Sequence, residues 1–257
     1  MDLGEGAMLI IGTSGWTYGN WAHSFFASVP RRLWLEHYSR LLNGVEVNST
    51  FYHSVRATTF AAWARRTPEQ FRFALKGSRL VSHVHRLVGT LEILRDLRDR
   101  ALALGPKLST VVWQLPRSFR ADLERLASFA EDLKLWPEAR HAIEFRHASW
   151  FTPEIAQVLS QARIANCVSD AADWPMWLAA TTDFVYVRLH GHERTYRSDY
   201  SEEELQWWAE HIRTWLQEGR SVEVYFDNTD EGHAPANALR LTALLQHGPG
   251  FHETPAR

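Results

Sequence analysis

Residues 184–228 read FVYVRLHGHERTYRSDYSEEELQWWAEHIRTWLQEGRSVEVYFDN, and they contain one complete repeat of the fold. Phe184 to Leu189 is an apolar run interrupted by a single charge, Arg188, as expected of a parallel strand covered on both faces. Ser201-Glu202-Glu203-Glu204 then forms a capping box, in which the Ser201 hydroxyl and the Glu204 carboxylate each accept a backbone N–H from the other residue. It predicts a helix to about Glu218, stopped at Gly219. Val222 to Phe226 is the next strand, and Asp227-Asn228 end it. Two strands joined through a helix run parallel.

The same alternation extends back to the N-terminus. Strands are predicted at Met8–Gly12, Val45–Phe51, Phe71–Leu75, Leu108–Leu115, His141–Phe145 and Ile164–Ser169. Helices are predicted at Arg32–Leu42, Thr59–Arg66, Leu91–Leu104, Ala121–Leu133, after the Thr152-Pro153 cap, and at Ala236–Gln246. A short Trp-rich segment follows the sixth strand. Eight strands with no second zone of composition predict an α/β protein, a single (β/α)8 TIM-like barrel over residues 8–247. Residues 1–7 are then a flexible extension and 248–257 a tail. A doubly wound sheet is the alternative fold, but Gly12-Thr13-Ser14-Gly15 lacks the spacing of a dinucleotide fingerprint.

Composition narrows the function. The chain has 257 residues, 45% of them apolar, enough for one large core. A net charge of −2 argues against a protein that is cationic all over, as polymer-binding domains often are, while leaving room for a local basic patch. The lone Cys167 excludes an intramolecular disulfide and a cysteine-rich zinc site, and fits a cytoplasmic location. No apolar run reaches the ~18 residues of a membrane helix, and Met1 to Ala7 lack the basic and apolar regions of a signal peptide, so no membrane partner is expected.

The polar residues are informative by position. Nearly every strand ends in them: Thr13 and Ser14; Glu46, Asn48 and Ser49; Lys76; Gln114; Glu144, Arg146 and His147; Asp170; Arg188 and His190; Asp227 and Asn228. Side chains alternate along a strand, so Glu46 shares a face with Asn48, Glu144 with Arg146, and Arg188 with His190. Pointing inward, they would converge on the end of the barrel where barrel enzymes work.

Five of these motifs, in order, resemble one known family. They are Gly12-Thr13-Ser14-Gly15-Trp16 with Tyr18 and Trp21; Glu46-Val47-Asn48-Ser49-Thr50-Phe51-Tyr52; Glu144-Phe145-Arg146-His147 with Ser149-Trp150; Arg188-Leu189-His190-Gly191; and Phe226-Asp227-Asn228. Together they resemble the YecE-like family, domain of unknown function 72, from about Leu9 to Leu245. Lys76, Arg79 and His83 resemble its Lys-x-x-Arg…His stretch, and Gln114-Leu115-Pro116 its strand-four ending. After Phe51-Tyr52 the family often has a proline where this chain has His53-Ser54-Val55-Arg56, which implies a loop of different shape. The resemblance implies a TIM-like barrel and no particular reaction.

The residues themselves suggest an enzyme acting by acid/base chemistry on an anionic small molecule, such as a phosphorylated sugar or nucleotide. Glu46, Glu144, His190 and Lys76 are the catalytic candidates. Arg146 and Arg188 are expected to hold the anion, with Lys76 beside them. Asn48, Asp227 and Asn228 would complete the polar lining, and Trp16 and Trp150 would stack on the ligand. Lys76 also fits Schiff-base chemistry if its pKa is depressed. No cofactor is expected. Three alternatives stand beside this reading. The same cations and aromatics suit a nucleic-acid-binding module. Glu46, Glu144, His190 and Asp227 suit a divalent-metal-dependent hydrolase or isomerase. Lastly, the charges could simply pair with one another as a structural network. A glycosidase pair is disfavoured, because strands four and seven end in Gln114 and His190 rather than acids.

Overall fold

The computed structural model describes residues 7–247; the remainder of the extension and tail expected from the sequence lies outside them. Eight strands are present: β1 Leu9–Ser14, β2 Gly44–Val47, β3 Arg72–Lys76, β4 Leu108–Gln114, β5 Arg140–Glu144, β6 Ile164–Asp170, β7 Phe184–Leu189 and β8 Ser221–Phe226. Each pairs in parallel with its sequence neighbour, and β8 closes onto β1, with Thr13 opposite Phe226, so the sheet has no edge. The helices are α1 Trp34–Leu41, α2 Ser49–Tyr52, α3 Ala57–Arg65, α4 Leu91–Ala101, α5 Leu123–Leu133, α6 Pro153–Gln161, α7 Glu202–Gln217 and α8 Ala234–His247. This is the expected (β/α)8 TIM-like barrel. None of these helices is long and apolar enough to cross a membrane.

Local signals set most boundaries. The Ser201 hydroxyl accepts from the Glu204 N–H, and the Ser201 N–H donates back to the Glu204 carboxylate at 2.7 Å, as the capping box requires. Asp122 caps α5, and Thr152 caps α6 ahead of Pro153. One strand is shorter than expected. β2 stops at Val47, and Ser49–Tyr52 turn into a single helical turn. The Thr50 hydroxyl ties that turn to the carbonyls of Val47 and Lys76 at 2.8 and 2.7 Å, a local bond that outcompetes the β-propensity of Thr50, Phe51 and Tyr52. Between β6 and β7 no helix forms. Residues 171–183 are irregular and are held by the Asn166 amide, which donates to the carbonyls of Trp177 and Ala179.

The barrel interior is filled by matching large side chains with small ones. Tyr186 and Tyr225, on neighbouring strands, pack with rings 5.3 Å apart. The space they need is left by Ala74, Ala142, Ala165 and Gly44. A Cβ on Gly44 would lie 2.2 Å from Ile10 Cγ2, so any side chain there would collide with the packed interior. Glu223, lower in the barrel, accepts from Thr110, Ser109 and Tyr225, and burial raises its pKa. The second and larger core lies between sheet and helices.

Candidate active site at the barrel mouth

Above Tyr186 the inward positions of the strands turn polar, and Arg188 on β7 stands at their centre. It is fully buried and donates from all three nitrogens. Nε and Nη2 form a fork on Glu46 at 2.9 and 2.7 Å; Nη1 donates to Glu144 at 2.5 Å; and Nη2 also reaches Asp227 at 2.9 Å. Ser14 and Tyr186 hydroxyls donate to the Glu46 carboxylate at 2.5 and 2.7 Å. Carboxylates from β2, β5 and the end of β8 therefore meet one guanidinium from β7. The alternation of side chains along each strand dictates this convergence, as the sequence implied.

Electrostatics follow from the pairing. Burial pushes the Glu144 carboxyl up, but Arg146 and Arg188 outweigh it and hold the group well below the usual carboxylate range. Asp227 is likewise pushed up by burial and pulled down more strongly by Arg188 and His190, to about 2. Burial opposes the charge on Arg188, and the carboxylates of Glu46, Glu144 and Asp227 restore it, leaving a permanent cation. His190 lies between two acids, its Nε2 3.4 Å from Glu144 and its Nδ1 3.0 Å from Asp227, the latter out of line for a good hydrogen bond. The rings of Trp174 and Tyr196 stand edge-on to it at 5.0 and 5.5 Å.

A second tier sits nearer solvent. Arg146 donates from Nε to Glu144 at 2.7 Å, and its guanidinium lies 3.9 Å over the Trp174 ring. Its Nη2 is buried and has no hydrogen-bond partner among the described residues. Lys76 is 7% exposed, and its ammonium faces the Phe51 ring at 4.6 Å. Burial and the Arg188 charge lower its pKa to about 8. His83, on a one-turn π-helical segment, packs edge-on to the same Phe51 ring at 5.2 Å. Burial, with Lys76, Arg146 and Arg79 nearby, brings His83 down to about 4, so its imidazole is neutral at pH 7. Tyr18, raised to about 12 by burial and the Asp227 charge, donates to the Ser14 carbonyl at 2.6 Å. Asn48 Oδ1 is buried without a partner among the described residues.

Several expectations are corrected. Arg188 has no donor left for a ligand, because its five N–H groups are taken by Glu46, Glu144, Asp227 and the His190 Nε2. Trp150 is fully buried, with its indole N–H on the Phe119 carbonyl and its ring stacked on Phe145; it is core. Trp16, 8% exposed, packs edge-on to Trp63. Asn228 ties Ser198 and Asn237 together and is fully buried. Asp170 falls on the outward face of β6 and bonds His192 and Tyr200. For the metal alternative, the centre of the acids is filled by the Arg188 guanidinium, and no trio of ligating side chains among the described residues is arranged to hold an ion.

Some residues of the site had escaped the sequence reading. Tyr186, and Ser169, whose hydroxyl donates to Glu144 at 3.4 Å, share the inward faces of β7 and β6 with Arg188 and Cys167, so alternation could have found them. Trp174 and Tyr196 sit in irregular loops, where no periodicity points to them. Tyr196 adopts φ +69, a conformation uncommon outside glycine and one that tends to mark functional loops.

Comparison with known proteins agrees with this architecture. The chain is 25% identical over 269 residues to the UPF0759 protein YunF of Bacillus subtilis, covering 93% of this chain and 95% of that one. It superposes on a solved DUF72 family protein from Thermotoga maritima with a TM-score of 0.83 at 28% identity, covering 93% and 99% of the two chains. A solved DUF72 family protein from Enterococcus faecalis, 20% identical, gives a TM-score of 0.81 over 95% and 97% of the chains and shows the shared fold. Residues 10–257 match the family described as "Protein of unknown function DUF72", and the chain belongs to that family.

Proposed function

We propose that the chain is an enzyme that binds an anionic small molecule at the barrel mouth and works on it by proton transfer. The observation that carries this reading is the contrast between the two tiers. The lower acids are matched by Arg188. Above them, among the described residues, Arg146 Nη2 is buried without an acceptor, and no carboxylate pairs with the Lys76 ammonium, which faces the Phe51 ring. A buried donor left unmatched costs about 1–3 kcal/mol, more when charged, and a ligand anion recovers that cost.

In this reading Arg146 and Lys76 hold the anion, and Asn48 adds a polar contact. Arg146 is braced by Glu144 beneath it and Trp174 behind it, which fixes its free edge toward the ligand. The Lys76 amine, brought to about 8, accepts a proton, and the Tyr196 hydroxyl, which burial keeps protonated, donates one. Glu46, Glu144, Asp227 and His190 act as positioning residues through Arg188 and Arg146, rather than as the acid/base pair expected from sequence.

Inorganic phosphate tests the reading by thermal shift. Phosphate is expected to raise the Tm of the wild-type protein, and Arg146→Gln is expected to weaken its apparent affinity about tenfold, or about 1.4 kcal/mol. An equal shift in both proteins would contradict it.

A further inference from the structure

Only three of the chain's 28 basic Lys and Arg residues are lysines: Lys76, Lys107 and Lys134. Two of the three do ordinary work. Lys107 donates to the carbonyls of Ala64 and Thr67 at 2.5 and 2.6 Å, and Lys134 to Glu131 at 2.7 Å. Lys76 is the exception. It sits at the end of β3, on the inward face with Ala74, and its amine meets an aromatic ring instead of an oxygen. A sequence so committed to arginine places at this buried point the one basic side chain that can lose its proton and act as a nucleophile.

Resting on the anion-binding reading above, we infer that Lys76 forms a Schiff base with the carbonyl carbon of an anionic aldehyde or ketone, while the free edge of Arg146 holds the carboxylate or phosphate of that substrate. Three features place the amine for this. The α2 turn is tied by Thr50 to the Lys76 carbonyl, which sets the Phe51 ring under the ammonium. Arg188 stands close enough to disfavour a second positive charge, and burial acts in the same direction, which brings the amine to about 8. His83 packs on the same ring and is neutral, so it adds no positive charge beside the amine, and the proton released as the ammonium becomes an amine passes to solvent.

The step balances without a further reactant. Neutral Nζ adds to the carbonyl carbon, a C–N bond forms, and the carbonyl C–O bond breaks. The oxygen leaves as water with both amine hydrogens, and the imine nitrogen takes one proton from solvent to become the iminium. The iminium then serves as an electron sink for deprotonation or bond cleavage at the adjacent carbon.

Glyoxylate with sodium cyanoborohydride is the direct test, because reduction of the Schiff base leaves a stable carboxymethyl group on the lysine. Three lysines make peptide mapping unambiguous. Near pH 8, Lys76 is expected to be labelled at least about tenfold faster than surface Lys134, since an ordinary lysine is almost wholly protonated there. Phosphate should slow the labelling of Lys76 alone. Lys76→Arg, which keeps the charge but not the nucleophile, should abolish the mouth label; Lys76→Met serves if the arginine does not fit. Labelling of Lys76 no faster than Lys134, in a protein still stabilised by phosphate, would overturn the Schiff base and leave the anion site standing. Fast labelling of Lys76 that phosphate does not slow would overturn the pairing of amine and anion site.

Discussion

Arg188 donates to carboxylates from three strands and has no contact with solvent, so its role is to make a cluster of acids tolerable inside the barrel. Removing one partner of such a cluster is far more damaging than its net worth, because the rest stay buried and unmatched. Arg188→Met is therefore expected to cost about 3–5 kcal/mol in urea denaturation, the range for an orphaned buried charge. A loss below about 1 kcal/mol would mean that the acids find other partners or take up protons without strain. At this scale the sequence revealed most of the residues that point inward, Asp170 excepted, but not which of them are satisfied. Strand parity places Arg146 and Arg188 on inward faces alike. Only the distances show that one is saturated and the other has a free edge. Trp150 misled for a related reason: it follows a polar cluster in sequence, yet its loop folds the ring back into the core.

At the scale of elements, β7 and its capped helix were the most legible part of the chain. Phe184–Leu189 coincides with the expected strand, and α7 begins at the capping box. β2 was the least legible, since a hydroxyl bridge between two strand ends, invisible without the neighbouring strand, turns its last residues into α2. The segment between β6 and β7, expected as a short Trp-rich stretch without a helix, is indeed irregular, and Asn166 organises it across a gap in sequence. Gly44 gives a test at this scale. Its replacement by alanine would force Cβ to 2.2 Å from Ile10 Cγ2, and the strand would have to shift against the filled interior. Gly44→Ala is expected to lose about 1–3 kcal/mol of stability and to lower the Tm. An unchanged Tm would show that the interior near β2 has room to spare.

For the whole molecule, closure of the ring brings acids distant in sequence to one cation and so links stability to pH. Asp227 ionises at about 2 in the folded barrel against an ordinary 3.8. A depressed folded value stabilises fully above the unfolded value, and the benefit is lost as pH falls through the folded value. The barrel should thus weaken between about pH 4 and about pH 2, with Asp227 contributing about 2 kcal/mol and Glu144 acting in the same direction. Urea midpoints across that window should fall more steeply for the wild type than for Asp227→Asn. Identical slopes would remove Asp227 from the account. Fold and ring order were readable from sequence because eight repeats of one pattern reinforce each other. The chemistry of the mouth was not, since it depends on a few ångströms between loops that no pattern records.

Two unmatched cations stand above a matched layer of charge, and anomalous diffraction from crystals soaked in selenate would show whether they bind one anion together. Selenium density within hydrogen-bond reach of both Lys76 Nζ and Arg146 Nη2, with Arg188 still on its carboxylates, is the predicted result. Selenate bound to Arg188 in place of the acids, or found only on the outer surface while the mouth stays clear, would contradict it.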